Sequence, residues 1–151
     1  MTSFIGQPNL PRGLRDNNPG NIRPSTKYKW NGQTGIDNKG GQGSYVIFQD
    51  IEHGIRAMAK DLSNKIFRGL NTLNKYIKVY APADDANDTA NYIKRVSHDT
   101  GIAPDELLYA DAPTLHKLVK AHIAVEIGDK FSHMVTEQMI ETGVKMAVGL
   151  I

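Results

Sequence analysis

Asp16-Asn17-Asn18-Pro19-Gly20-Asn21-Ile22-Arg23 gathers three asparagines, a Pro-Gly pair and an arginine into eight residues, with Arg15 just before them. Pro suits position i+1 of a tight turn and Gly suits i+2, so Pro19-Gly20 predicts a type II turn. An asparagine amide offers two donors and one acceptor and does not titrate, which suits neutral polyhydroxyl or amide ligands. Asn also bonds its own backbone in turns, and the same residues describe an ordinary polar turn.

Upstream, residues 1–12 contain Pro8 and Pro11 and little periodicity, so they read as an extended arm before a domain spanning 13–151. The arm lacks a basic segment followed by an apolar run and is not a signal peptide. Downstream, Trp30 to Ile36 predicts a short strand with its turn, 38–41 a loop, and Ser44-Tyr45-Val46-Ile47-Phe48 a second strand of β-branched and aromatic residues. Such a hairpin is too small to stand alone and must pack on helices.

Everything after Asp50 carries helical spacing. Asp50 is a good N-cap, and Ile51, Ile55, Met58, Ala59, Leu62 and Ile66 share one face. A second helix is expected over 72–80, stopping at Ala81-Pro82. A third begins after Asn87 or Asp88, turns Tyr92, Ile93 and Val96 inward, and ends near Gly101. Pro104 to Leu108 predicts a single helical turn. Asp111 caps a further helix with Pro113 in its first turn, an apolar stripe Leu115, Leu118, Val119, Ile123, and Gly128 at its end. A last helix is expected over 132–147. The pattern is that of one mostly helical α+β domain with one small hairpin.

Composition narrows the chemistry. The chain has 151 residues, 40% hydrophobic and 23% charged, as a soluble globular domain does. A formal charge of +2 and the lack of a basic stripe argue against a nucleic-acid binder. No apolar run approaches the roughly 18 residues that a spanning helix needs, so no membrane insertion is expected. There is no Cys, hence no thiol nucleophile and no thiolate metal site. The histidines His53, His98, His116, His122 and His133 are scattered without a His-Glu-x-x-His arrangement, and zinc is not expected. Asp84, Asp85 and Asp88 lack the spacing of a calcium loop and read as a solvated loop. Neither metal nor cofactor is anticipated.

Glu126 is the titratable residue that stands out. It continues the stripe Leu115, Val119, Ile123, so its carboxyl points along the core-facing side of its helix. It also lies in the last turn, where the helix dipole disfavours negative charge. Desolvation and dipole both favour the protonated acid, the form a general acid needs. Asp50 and Glu52 open a helix, where acids serve as caps, and stand as secondary catalytic candidates.

Three blocks carry a resemblance to a known family. Arg12 to Arg23, Trp30-Asn31-Gly32-Gln33-Thr34-Gly35 and Phe48 to Ala57 resemble a family of phage lysins that includes the murein-degrading virion lysin of the cystoviruses and related tailed-phage and prophage proteins. The likeness continues through Tyr80-Ala81-Pro82, Tyr92 and Gly101 to Glu126-Ile127-Gly128. Asp88-Thr89-Ala90-Asn91-Tyr92-Ile93-Lys94-Arg95-Val96 is similar to the Glu-Thr-x-x-Tyr-Val-x-x-Val helix of lytic transglycosylases, whose Tyr orients the catalytic Glu. Ala121 to Gly128 is similar to their catalytic Glu-Ser-Gly helix, with Ile127 replacing Ser.

The resemblance implies a lysozyme-like domain. Because the hairpin comes first, the Tyr second and the Glu last, it implies a circularly permuted one. It implies cleavage of the muramic acid–glucosamine bond of peptidoglycan by a lytic transglycosylase, with Glu126 as general acid and base and Tyr92 beside it. Asn18, Asn21, Gln33 and Thr89 would line the groove and bind the glycan. A phage enzyme of this kind would reside in the virion or the host cytoplasm and act as a monomer on the host wall in the periplasm. The alternatives are a hydrolytic muramidase using Asp50 or Glu52 with Glu126, and a non-catalytic wall-binding or virion structural protein.

Overall fold

A computed structural model describes residues 1–83 and 88–151. Its spine is α2 (Ile51–Phe67), whose side chain cap at Asp50 accepts from His53 N at 2.8 Å. The stripe expected of this helix is buried throughout, from Ile51 to Ile66. Against it pack α5 (Ala112–Ile127) and α7 (Glu137–Ala147), with α3 (Leu73–Tyr80) and α4 (Thr89–Thr100) closing the bundle. Thr72, Asp88, Asp111 and Thr136 cap the other four long helices through their side-chain oxygens. Each such cap is worth about 1 kcal/mol, so the helix starts are written in the sequence by residue type.

The hairpin is antiparallel, β1 (Gln33–Gly40) with β2 (Gly43–Phe48), and Gly40 pairs Gly43 across the turn. The loop expected over 38–41 is therefore mostly strand, because the chain reverses in only two residues, Gly41 and Gln42. Val46 and Phe48 are buried from β2 against Ala57 of α2, with Ile22 and Trp30 beside them.

Three expectations are corrected. Gly20 does not have positive φ, so the Pro19-Gly20 turn is not type II; it closes through Asn21 N to Asn18 O at 3.0 Å. The left-handed positions are Asn17 (φ 53°) and Asn21 (φ 51°), and asparagine tolerates that region better than most residues. The last helix is broken: a single turn, α6 (Asp129–Ser132), precedes Thr136, whose side chain competes for the backbone and restarts the helix at Glu137. Pro104 to Leu108 is a turn, with Leu108 N drawn to Asn71 O at 2.8 Å. The polar stretch 84–87, with Asp84 and Asp85, lies outside the described residues.

The N-terminal arm is docked. Thr2 N and Oγ1 donate to the Glu52 carboxylate at 2.9 and 3.1 Å, Thr2 O accepts from Ile51 N at 2.7 Å, and Phe4 joins the core. A short helix, α1 (Arg12–Arg15), then leads into the asparagine turn.

That turn lies directly on α2. A Cβ at Gly54 would sit 2.0 Å from Asn17 O, and one at Gly20 would sit 2.6 Å from Met58 Cγ. Backbone cannot retreat from the first contact, so Gly54→Ala is expected to cost about 1–3 kcal/mol, as overpacking does. A Tm unchanged from wild type would show that α2 and the turn are not held this closely.

Asp16 and Asp37 add a titrating contact beneath the hairpin. Burial first, then the neighbouring Asp37, push the Asp16 carboxyl up to about 7. Asp37 is held well below the usual carboxylate range by the Asp16 proton, Lys39 N–H and Arg12. Asp16 Oδ2 has no donor of its own, which a proton carried on Asp16 and donated to Asp37 explains. The folded chain thus keeps a proton that the unfolded chain loses near pH 4, so this pair costs stability as pH rises from about 4 toward 7. At Asp37 the sign is opposite, and stability is lost as pH falls below the ordinary Asp range. Asp16→Asn, which donates to Asp37 at any pH, is expected to flatten the fall in Tm between pH 5 and 8. Parallel wild-type and mutant curves would refute the shared proton.

Candidate functional site

An open cleft of about 540 Å³ runs between the asparagine turn, the hairpin and the C-terminal ends of α3 and α5. Its size is that of a small-ligand site. Glu126 lies on its wall, in the last turn of α5. Tyr92 Oη donates to Glu126 Oε2 at 2.9 Å, and Asn21 Nδ2 reaches Oε1 at 3.2 Å and the Glu126 carbonyl at 3.5 Å. Burial raises the Glu126 carboxyl above its ordinary value, and the bonds from Tyr92 and Asn21 partly offset that rise. The site therefore holds a mostly sheltered carboxylic acid with two fixed neighbours and one open side.

The expected residues divide. Asn21 lines the cleft and Tyr92 braces the acid from behind. Asn18 is not a groove residue: it is fully buried, and its amide bonds Ile22 O and Val46 O at 2.9 Å each and accepts from Ile22 N at 2.9 Å. Gln33 accepts from Trp30 N at 3.1 Å at the base of the hairpin, away from the cleft lining. Thr89 Oγ1 donates to Ala81 O at 2.7 Å and ties the start of α4 to the end of α3. Asp50 is consumed by capping α2 and by His53 Nδ1 at 2.7 Å, and Glu52 by Thr2. Both are buried outside the cleft, so neither sits with Glu126.

Other residues complete the site. Lys65 is buried, pairs with Asp61 at 2.7 Å, and holds its ammonium 5.7 Å from the Tyr80 ring centre. Asp61 shares the cleft with Glu126, which makes it the second carboxylate that sequence reasoning did not single out. Tyr80 donates to Gly20 O at 3.2 Å; burial, then Glu126 and Asp61, raise its hydroxyl well above the phenolic range. Opposite, Tyr28 is half-exposed at the cleft mouth and meets Trp30 edge-on at 5.3 Å. The signal for the pair was present, since Asp61 and Lys65 are one helical turn apart. Among the described residues, no three His, Asp or Glu side chains converge as metal ligands would. No helix among them is long and apolar enough to cross a membrane.

No family model matches the sequence. Over 120 residues the chain is 34% identical to "Protein P5" of Pseudoalteromonas phage PM2, across 78% of this chain and 71% of that protein. The chain belongs to the family of this phage protein. This member of the family thus has a phage relative over most of its length, and its fold is α+β and mostly helical with a two-stranded sheet.

The bracing of Glu126 has a measurable sign. Both neighbours stabilise the ionised form, so removing either weakens the opposition to burial. Tyr92→Phe and Asn21→Leu are each expected to move the Glu126 titration, followed by carboxyl carbon-13 NMR, to higher pH. A downward movement would mean that these bonds favour the protonated acid instead.

Proposed function

We propose that the chain is a peptidoglycan-cleaving enzyme that breaks the muramic acid–glucosamine bond as a lytic transglycosylase. The observation that carries this reading is Glu126: a carboxyl kept toward its protonated form by burial, on the wall of an open cleft, oriented by Tyr92 and Asn21. The acid would give its proton to the leaving glycosidic oxygen as the C1–O bond breaks. The resulting carboxylate would take the proton of the muramic acid 6-hydroxyl as that oxygen bonds C1. The cycle returns Glu126 to its acid form, consumes no water and leaves an anhydro end. In this reading the domain is a lysozyme-like one in permuted order, acting on the host wall in the periplasm. Asn21 meets the glycan from the asparagine turn, and Tyr28 offers a stacking face at the mouth.

Asp61 favours a second reading. Hydrolytic glycosidases commonly use two carboxyl groups flanking the bond, and Asp61 lines the same cleft as Glu126. In that case water replaces the 6-hydroxyl and the product carries a reducing end.

Mass spectrometry of muropeptides after digestion of purified murein separates the readings. Anhydro ends are expected; reducing ends would transfer the chemistry to the Asp61 route, and intact murein would leave a wall-binding protein. Glu126→Gln keeps shape while removing the transferable proton and is expected to lower turnover on the order of a hundredfold to ten-thousandfold. Its Tm above the ordinary glutamate range should rise, because a raised folded-state pKa means that ionising Glu126 costs stability as pH increases. Full activity in Glu126→Gln would rule out Glu126 as the acid.

A further inference from the structure

Behind the cleft, a line of four side chains crosses the core. Tyr76 Oη lies 2.7 Å from His122 Nε2, His122 Nδ1 lies 2.7 Å from Tyr92 Oη, and Tyr92 Oη lies 2.9 Å from Glu126 Oε2. They come from α3, α4 and α5, with His122 one helical turn before Glu126. His122 is fully buried, faces the Tyr80 ring at 4.5 Å, and has the Lys65 ammonium nearby. Burial first, then Lys65, push its imidazole down to about 3, so it is neutral.

A neutral imidazole has one N–H and one lone pair, and each tyrosine has one O–H. A continuous chain of donation can therefore run in only two directions. Running away from the cleft, Glu126 would donate to Tyr92, Tyr92 to Nδ1, and Nε2–H to Tyr76. Tyr76 is completely buried, and His122 is its one hydrogen-bonding partner among the described residues. Its own proton would then be stranded in the core, a defect native interiors avoid. Running toward the cleft, Tyr76 donates to Nε2, Nδ1–H to Tyr92, and Tyr92 to Glu126 Oε2, and no donor is left over.

We propose that Tyr76 and His122 are positioning residues that fix this direction and so keep the transferable proton of Glu126 on Oε1. Oε1 is the oxygen that also meets Asn21, a residue of the cleft wall. The proton is thereby offered to a bound ligand and is not turned back into the core. The consequence for turnover rests on the general-acid reading above; the direction of the chain does not.

The test uses the full chain labelled with nitrogen-15 histidine. In wild type, long-range proton–nitrogen correlation is expected to show His122 protonated at Nδ1; protonation at Nε2 overturns the proposal. Tyr76→Phe removes the donor that sets the direction. With folding checked by near-UV circular dichroism, it should lose the fixed tautomer and move the Glu126 carboxyl titration to higher pH. Murein turnover should fall roughly tenfold in kcat with KM little changed, the pattern of a transition-state interaction. If Tyr76→Phe keeps the Nδ1–H tautomer, the Glu126 midpoint and kcat, Tyr76 is only packing and the proposal fails. Wild-type protein that shows the Nδ1–H tautomer but leaves murein intact defeats the glycosidase reading alone. The Glu126 midpoint in Tyr76→Phe then still decides the chain, and the wild-type tautomer decides it if that variant does not fold.

Discussion

Two fully buried asparagine side chains hold the architecture of the cleft. Asn17 accepts from Phe4 N at 2.9 Å and donates to Ser3 Oγ and Phe48 O at 3.0 and 3.1 Å. Asn18 closes its own turn onto Ile22 and ties it to Val46 of the hairpin. Every hydrogen-bonding group of these amides is used, as burial of polar groups demands. Through them the N-terminal arm, the turn and the hairpin are tied to one another. The same bonds decide where Asn21 projects, and hence what stands beside Glu126.

The helices were legible because their signals are local. Asp50, Asp88 and Asp111 cap where cap residues were expected, and Gly101 and Gly128 stop helices α4 and α5. The break between α6 and α7 was missed, because Met139 and Ile140 continue an apolar period that Thr136 interrupts only through its backbone bonding. Glu126 was legible from an acid on an apolar stripe, and Tyr92 beside it from a resemblance; the second bond to the acid, from Asn21, was beyond either. The asparagines show the opposite failure. Their chemistry suits sugar and buried backbone alike, and only the three-dimensional path of β2 assigns Asn18 to the core and Asn21 to the cleft. His122 carried a signal too, one turn before Glu126, but spacing alone does not reveal that tyrosines from two other helices end on its ring.

The electrostatics around Glu126 come from unequal solvation. Tyr76, Tyr80 and Tyr92 are all driven upward and His122 downward, chiefly by burial, so this part of the core is polar yet uncharged. Lys65, a formal cation at its margin, is matched by Asp61 across 2.7 Å. A neutral hydrogen-bonded interior supports a carboxylic acid without supplying the counter-charge that would ionise it.

The contact between Asn21 and Glu126 spans 105 positions of sequence. Closing so long a loop gains nothing until both ends are in place, and contacts of this separation form late and slowly. On a ribosome, the turn would emerge long before the acid that it braces. The hairpin and α2 can meet early, whereas the acid acquires its shelter only when α5 docks. The wall of the cleft that carries Glu126 is thus missing until the end of α5 has been made, and of the long helices only α7 follows it.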